Sequence, residues 1–290
     1  MRVIIVTQTF PPRFGGMQSV MSALAKNFSK TLPTFVLPDH HIPDSHPIRS
    51  YKIKFNFSNF PKFLRPLIKK IKLKKILKKN DIIICDSWKS LNALPNTNNK
   101  VVMLAHGQEY LSKSKKNKIN KLLKKVNIVI SSSNYTKNIF LNICKFPENK
   151  IHVIPPTYEL ENNKIKIHNK SSNKKDLILT TISRLEERKG FLPVIKALKN
   201  LVEKKSINNF TWSIYGDGYL KEKINKQIDY YKLNKYIKIK NFVNEVSKEQ
   251  ILLNSNLFIM PSYKVKNSVE GFGISYICLL YTSPSPRDGT

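Results

Sequence analysis

Leu177-Ile-Leu-Thr-Thr-Ile-Ser-Arg184-Leu-Glu-Glu-Arg-Lys189-Gly190 is an apolar, β-branched run that stops at a cluster of charge and a glycine. The residues that follow, Phe191-Leu-Pro-Val-Ile195, open an amphipathic segment of helical length. A strand, a charged loop and a helix in this order form the first half of a βαβ unit, from which parallel sheets are built. Ligands of open parallel sheets collect at the carboxyl ends of the strands, which is where Arg184 and Lys189 fall. Arg offers two-pronged contacts and Lys a point charge, so the two could converge on one diphosphate. The same spacing also describes a solvated charged loop.

The alternation continues on both sides of this stretch. Strands are predicted at Val3 to Thr7, Thr34 to Leu37, Ile82 to Cys85, Val101 to Ala105, Ile128 to Ser131 and Ile151 to Ile154. Further strands are predicted at Leu177 to Ile182, Phe210 to Tyr215, Ile237 to Phe242 and Leu257 to Met260, with helices near 191–204, 220–233 and 247–254. Between the two series, residues 155–175 are polar and punctuated by Pro and Asn, which marks a linker. The expected fold class is α/β, with two doubly wound domains at 1–165 and 166–277 and no internal repeat.

The 290 residues, 41% of them apolar, suffice for two domains with sizeable cores. Runs such as Asp81-Ile-Ile-Ile-Cys85 fall far short of the roughly 20 residues that cross a bilayer. Met1-Arg-Val-Ile-Ile-Val6 lacks the longer apolar core and small-residue cleavage site of a signal peptide, so a cytoplasmic location is expected. Cys85, Cys144 and Cys278 are odd in number, far apart and without metal-ligand spacing, which excludes a disulfide scaffold and a zinc module.

Charge is the dominant compositional feature: 51 basic against 19 acidic side chains give a formal net charge of +32. Residues 1–125 carry 25 basic and 5 acidic side chains, so the first half holds most of the excess. Such a balance favours polyanions, although Lys-, Asn- and Ile-rich usage is also what AT-rich coding produces. Within residues 62–79, nine basic and no acidic side chains accompany Phe63, Leu64, Leu67, Ile68, Ile71, Ile76 and Leu77 at helical spacing. That pattern fits a helix lying on an anionic membrane surface, or one packing its apolar stripe on the sheet with its lysines solvated. Residues 113–125 form a second basic helix. A nucleic-acid binder would need a recognition helix or stacking aromatics on a basic sheet, and the aromatics here are scattered, so no nucleic-acid partner is expected.

Other motifs sit at predicted strand ends. Gly15 and Gly16 precede a helix start, where backbone N–H groups and the positive dipole end suit a phosphate. His106, in Ala105-His106-Gly107, is placed to bond a sugar hydroxyl or a backbone carbonyl. Tyr215-Gly216-Asp217-Gly218 is a second Gly-rich strand-to-helix turn. Glu270, followed by Gly271, Phe272 and Gly273, reads as a carboxylate at a helix start, suited either to sugar hydroxyls or to capping.

In this order, over roughly residues 1–277, these segments resemble the retaining glycosyltransferase family 4 of the GT-B fold. The specific blocks are Ile182-Ser-Arg184-Leu with Lys189-Gly190, Tyr215-Gly-Asp-Gly218, and Pro261-Ser262 with Glu270-Gly-Phe-Gly-Ile274. The resemblance implies two Rossmann-like domains facing a cleft, the first on the acceptor side and the second binding a nucleotide-diphosphate sugar. It implies that Arg184 and Lys189 hold the diphosphate and that Gly15, Gly16, Gly216 and Gly218 line the donor site. His106 would lie near the transferred sugar, and Glu270 with Gly271, Phe272 and Gly273 would bind that sugar. It further implies a glycan or lipid-linked acceptor, a setting in bacterial envelope polysaccharide or glycolipid assembly, and no cofactor or metal. The absence of an Asp-x-Asp pair agrees with that last point.

One departure stands out. The family's signature is two glutamates separated by seven residues, and the position of the second is occupied here by Cys278. From there Cys-Leu-Leu-Tyr-Thr-Ser-Pro-Ser-Pro-Arg-Asp-Gly-Thr shares neither the composition nor the alternation of what precedes it, and it resembles translated sequencing adapter. The expectation is a second domain truncated at Ile277, a non-native tail at 278–290 and an inactive fragment.

Overall fold

The computed structural model describes residues 1–13, 15–57, 60–156, 177–241, 243, 245–266, 268–270 and 273. The chain divides into two compact units, Met1–Glu159 and Leu160–Thr290. The expected boundary at 165, Gly271, Phe272 and the tail at 278–290 lie outside the described residues.

The first unit is built on a seven-stranded parallel sheet. Its elements run β1 (Val3–Val6), α1 (Gly16–Thr31), β2 (Thr34–Leu37), β3 (Ile53–Phe55), α2 (Arg65–Ile76), β4 (Ile82–Cys85), β5 (Lys100–Ala105), α3 (Lys116–Leu123), β6 (Ile128–Ser131), α4 (Asn134–Ile143) and β7 (Ile151–Val153). The strand order is β3-β2-β1-β4-β5-β6-β7, so the direction of winding reverses between β1 and β4. The inner strands are buried on both faces, which is why Val3–Val6 and Ile82–Cys85 read as continuous apolar runs rather than as alternations. One face packs Leu73, Leu91, Ile119, Leu123 and Phe140 on the sheet. The other packs Met21 and Ala25, one turn apart on α1, with Phe10 and Ile42.

The second unit runs β8 (Leu177–Ile182), α5 (Phe191–Glu203), β9 (Phe210–Tyr215), α6 (Lys221–Tyr230), β10 (Ile237–Lys240), α7 (Glu245–Leu253) and β11 (Leu257–Phe258). Its parallel sheet has the order β10-β9-β8-β11. On α5, Phe191, Ile195 and Leu198 recur at helical spacing and are buried, with the Phe191 ring stacked 6.4 Å from that of Trp212. Thr181 ties β8 to β9 and to the residue that follows β11. Its hydroxyl donates to the Ile259 carbonyl and accepts from the Trp212 indole at 2.9 Å, so neither buried polar group is orphaned.

The predicted strands are present, several of them one or two residues shorter. The ladder ends at Lys240 in β10 and at Phe258 in β11, short of Phe242 and Met260. β3 is an added edge strand; its three residues, Ile53-Lys54-Phe55, carry too little apolar run to be seen in the sequence. The helix predicted over 62–79 spans Arg65–Ile76, and its apolar residues do not share one face. Leu73 is buried, whereas Phe63, Leu67 and Ile71 are 79%, 56% and 49% exposed. Lys69, expected to be solvated with the other lysines, is buried.

Candidate active site

Three loops of the second unit meet at the carboxyl edge of its sheet. The loop after β8 ends in a single 3-10 turn, Glu187–Lys189, closed by Gly190 at φ 79°. A Cβ at Gly190 would stand 2.5 Å from the Pro261 carbonyl oxygen, so glycine here lets the residues after β11 pass against the α5 start. The turn after β9 packs in the same way: a Cβ on Gly216 would lie 1.9 Å from the Ser183 carbonyl oxygen, and one on Gly218 would lie 2.5 Å from that of Leu185. Backbone bonds from Ser183 N to Tyr215 O (3.1 Å) and from Leu185 N to Asp217 O (2.9 Å) lock the two loops together. Gly216 and Gly218 therefore seat one loop on the other.

This packing lines up a chain of alternating charges. Glu270 accepts from Lys189 Nζ at 2.5 Å and from the Arg188 guanidinium. Arg188 Nε donates to Glu186 at 3.0 Å, and Glu186 also pairs with Arg184 at 2.9 Å. Arg184 is 58% exposed at one end of the chain, whereas Lys189 and Arg188 are buried at the other. Burial pushes the Glu270 carboxyl up, but Lys189 and Arg188 outweigh it and hold the group below its ordinary value. For Lys189 burial wins and the amine lies below its ordinary value, because the one carboxylate is shared between two cations. The expected residues Arg184, Lys189 and Glu270 thus belong to one network, although Arg184 and Lys189 do not touch. Arg188 and Glu186, which link them, went unrecognised; the clue was the density of charge between Arg184 and Lys189. Gly273 is described at φ 81° and is buried.

In the first unit the residues gather at the corresponding sheet edge. Gly15 precedes α1 as its N-cap residue, and α1 begins at Gly16. His106 follows β5, is half-buried, and donates from Nε2 to the Asp86 carbonyl at 2.9 Å, while its backbone N–H donates to Glu109 Oε1 at 3.0 Å. A carbonyl can only accept, so this bond leaves Nδ1 as the acceptor of the neutral ring. The bond to a backbone carbonyl was one of the two roles expected for this histidine.

Asp86 organises the surroundings. Fully buried one residue past β4, it accepts from Thr7 Oγ1 (2.9 Å), Gln8 N (2.8 Å), Thr9 Oγ1 (3.0 Å) and Ser90 Oγ (2.5 Å). It fixes the residues that leave β1 and, through its carbonyl, the His106 ring. Among the described residues no three His, Cys, Asp or Glu side chains converge as metal ligands would, and no helix is long and apolar enough to cross a membrane.

Two parallel, doubly wound units with charge gathered at their carboxyl edges define the GT-B class of α/β protein. The family profile described as Glycosyltransferase Family 4 matches residues 14–162, and the one described as Glycosyl transferases group 1 matches residues 163–277. The chain belongs to glycosyltransferase family 4. Among solved structures, HepE of Anabaena in complex with UDP and glucose aligns with a TM-score of 0.74 at 17% identity, over 97% of this chain and 78% of that one. A mutant of S. aureus TarM in complex with Fondaparinux, alpha-GlcNAc-glycerol and UDP gives 0.72 at 14% identity, over 97% and 84%. A glycosyltransferase from Rickettsia africae gives 0.72 at 20% identity, over 97% and 77%. At these identities the likeness concerns the fold. No curated protein sequence matches the chain.

Proposed function

We propose that the protein is built to transfer a hexose-type sugar, with retention, from a nucleotide-diphosphate sugar to a glycan or lipid-linked acceptor in envelope polysaccharide or glycolipid assembly. The observation that carries this is the Arg184–Glu186–Arg188–Glu270–Lys189 chain at the sheet's carboxyl edge, in a family 4 chain. Arg184 offers an exposed guanidinium for the diphosphate, and Lys189 adds a buried cation whose charge is only partly met by Glu270. Negative charge that develops on the leaving diphosphate is stabilised by these cations, the largest contribution in catalysis of this kind. Glu270, kept ionised by its two partners, accepts hydrogen bonds from the sugar hydroxyls, and Gly271, Phe272 and Gly273, next in sequence, share in binding that sugar. Gly15, Gly16 and the His106 ring serve the donor diphosphate and the transferred sugar, whose transition state carries oxocarbenium character. No metal is needed where basic side chains do this work. UDP is the first nucleotide to try, since it is bound in the HepE and TarM structures. The protein works on the cytoplasmic side, peripheral to the membrane.

A second reading is favoured by Cys278, which stands where the second glutamate of the family signature is expected: a relative, or a fragment, that binds sugar nucleotides without turning them over. Titrating the 290-residue chain with UDP, then incubating it with UDP-sugars and following release of UDP, separates the two. Binding without release supports the second reading, and sustained release supports an active transferase. Formation of a new sugar nucleotide without acceptor would identify an epimerase. Absence of binding to any nucleoside diphosphate contradicts all three.

A further inference from the structure

The segment that leaves β1 is tied down residue by residue on its way to Gly15. Lys69 donates to the Thr7 carbonyl at 2.7 Å, and Asp86 takes the Gln8 amide at 2.8 Å and the Thr9 hydroxyl at 3.0 Å. Phe10 is fully buried, with its ring 6.0 Å from that of Phe55. The next tie is His40, three residues past β2, whose Nε2 donates to the Pro11 carbonyl at 3.1 Å. A carbonyl can only accept, so the neutral ring carries its proton on Nε2 and a lone pair on Nδ1. That Nδ1 is buried and has no hydrogen-bond partner among the described residues.

Among these ties the imidazole is the one side chain whose ordinary value lies between about pH 5 and 8. A second proton on the ring goes to Nδ1, a buried atom with nothing to receive it. The groups that face the ring are the Pro11 and Phe10 carbonyls and Asp39, which favour that proton, and Arg13, which opposes it. Asp39 is already engaged, with Lys69 Nζ at 2.5 Å and the Arg65 guanidinium at 3.7 Å. Burial outweighs the favourable groups, and the ring lies below its ordinary value of 6.5.

We infer that His40 is a positioning residue: in its neutral form it holds the backbone at Pro11, so that the Gly15-Gly16 turn stands ready for the donor diphosphate, and a second proton weakens that hold. The role of the turn rests on the transferase reading; the tie itself does not. With the held ring depressed and a released ring near 6.5, the hold is complete above that value and is lost as pH falls through the lower, held one. The test titrates the full chain with UDP at about pH 8 and about pH 5, in the parent, His40→Gln and His40→Leu. The ring nitrogens of His40 are followed by NMR over the same range without nucleotide. A Gln amide still donates to the Pro11 carbonyl and does not titrate, whereas Leu cannot donate at all. At about pH 8, His40→Gln should bind UDP as the parent does and His40→Leu roughly three- to tenfold more weakly, the loss of one hydrogen bond. On going to about pH 5 the parent should lose at least about threefold more affinity than His40→Gln, because only the parent's tie titrates. Protonation of UDP itself, near about pH 6, is common to both proteins and cancels in that ratio.

An equal fall in the parent and in His40→Gln overturns the inference, as does a His40 ring that titrates at or above its ordinary value. Equal UDP affinity of His40→Leu and the parent at about pH 8 overturns it too, by showing that the tie does not position the turn. If the thermal unfolding curve shows that His40→Leu does not fold, the comparison of the parent with His40→Gln decides alone. Failure of the transferase reading looks different: the parent then binds no UDP at either pH, which takes the donor role from His40, whereas failure at His40 alone leaves UDP binding by the parent intact.

Discussion

Glu270 is the residue on which the charge network of the second unit closes. Removing its charge leaves Arg188 and Lys189 facing each other in a largely buried setting, so Glu270→Gln should destabilise the second unit by about 3 kcal/mol, the low end for breaking a buried pair because Glu270 is 26% exposed. Denaturant titration followed by Trp fluorescence reads this directly, since Trp212 lies in that unit's core. The pH dependence has a definite sign. The folded-state pKa of Glu270 is depressed, so its contribution is fully present above its ordinary value near 4.5 and is lost as pH falls through the lower folded value. The gap between parent and Glu270→Gln should therefore close on acidification below about pH 4.5, and a constant gap there would show that the charge is not what matters. Gly216 answers to sterics alone. With φ at 153° and a Cβ that would meet the Ser183 carbonyl oxygen at 1.9 Å, Gly216→Ala should cost about 1–3 kcal/mol by thermal or denaturant unfolding. At this scale the sequence was only partly legible. Arg184, Lys189 and Glu270 could be picked out by position, but the partners that join them could not, because Arg188 and Glu186 look like two more solvated charges until the loop is folded. Asp86 was hidden for the same reason: an acid one residue beyond a strand does not reveal that backbone and hydroxyl donors from two loops will surround it.

At the scale of elements, α2 separates two roles along one helix. Leu73 is fully buried in the core of the first unit, so Leu73→Ala should cost about 2–5 kcal/mol. Leu67→Ser should change stability by less than about 0.5 kcal/mol, because the side chain is 56% exposed. Chemical denaturation of the two variants checks both numbers, and equal losses would refute the division of the helix into a packed and a free face. Strands were the most legible elements, since a doubly wound parallel sheet requires unbroken apolar runs and these runs are short and bounded by charge. Helix α2 was harder. Its apolar residues are spread around most of the circumference, so periodicity could not say which of them face the sheet, and its lysines outnumber the positions that solvent requires. Burial of Lys69 on Asp39 is a tertiary event with no local signal.

Across the whole molecule, a net charge of +32 concentrated in the first half favours anionic surfaces, and this is open to direct test. Retention on phosphatidic acid vesicles should fall steeply as salt is raised from low to physiological strength, whereas a hydrophobic insertion alone would be nearly insensitive. Co-sedimentation at several salt concentrations decides between them. The two-unit plan was legible because the apolar alternation stops across the polar segment at 155–175 and then resumes. That Arg184, Lys189 and Glu270 gather at the carboxyl edge of the second sheet also followed from the parallel topology. The residue types there do not single out one anion, since lysine and arginine recognise any phosphate. The central claim is that the carboxyl edge of the second unit binds a nucleoside diphosphate through Lys189 and its network, and calorimetric titration of UDP into the parent chain and into Lys189→Gln tests it most directly. The account predicts saturable binding by the parent and an affinity at least about tenfold lower in the variant, the loss of one charge-assisted hydrogen bond; equal affinities, or no binding by the parent, would contradict it.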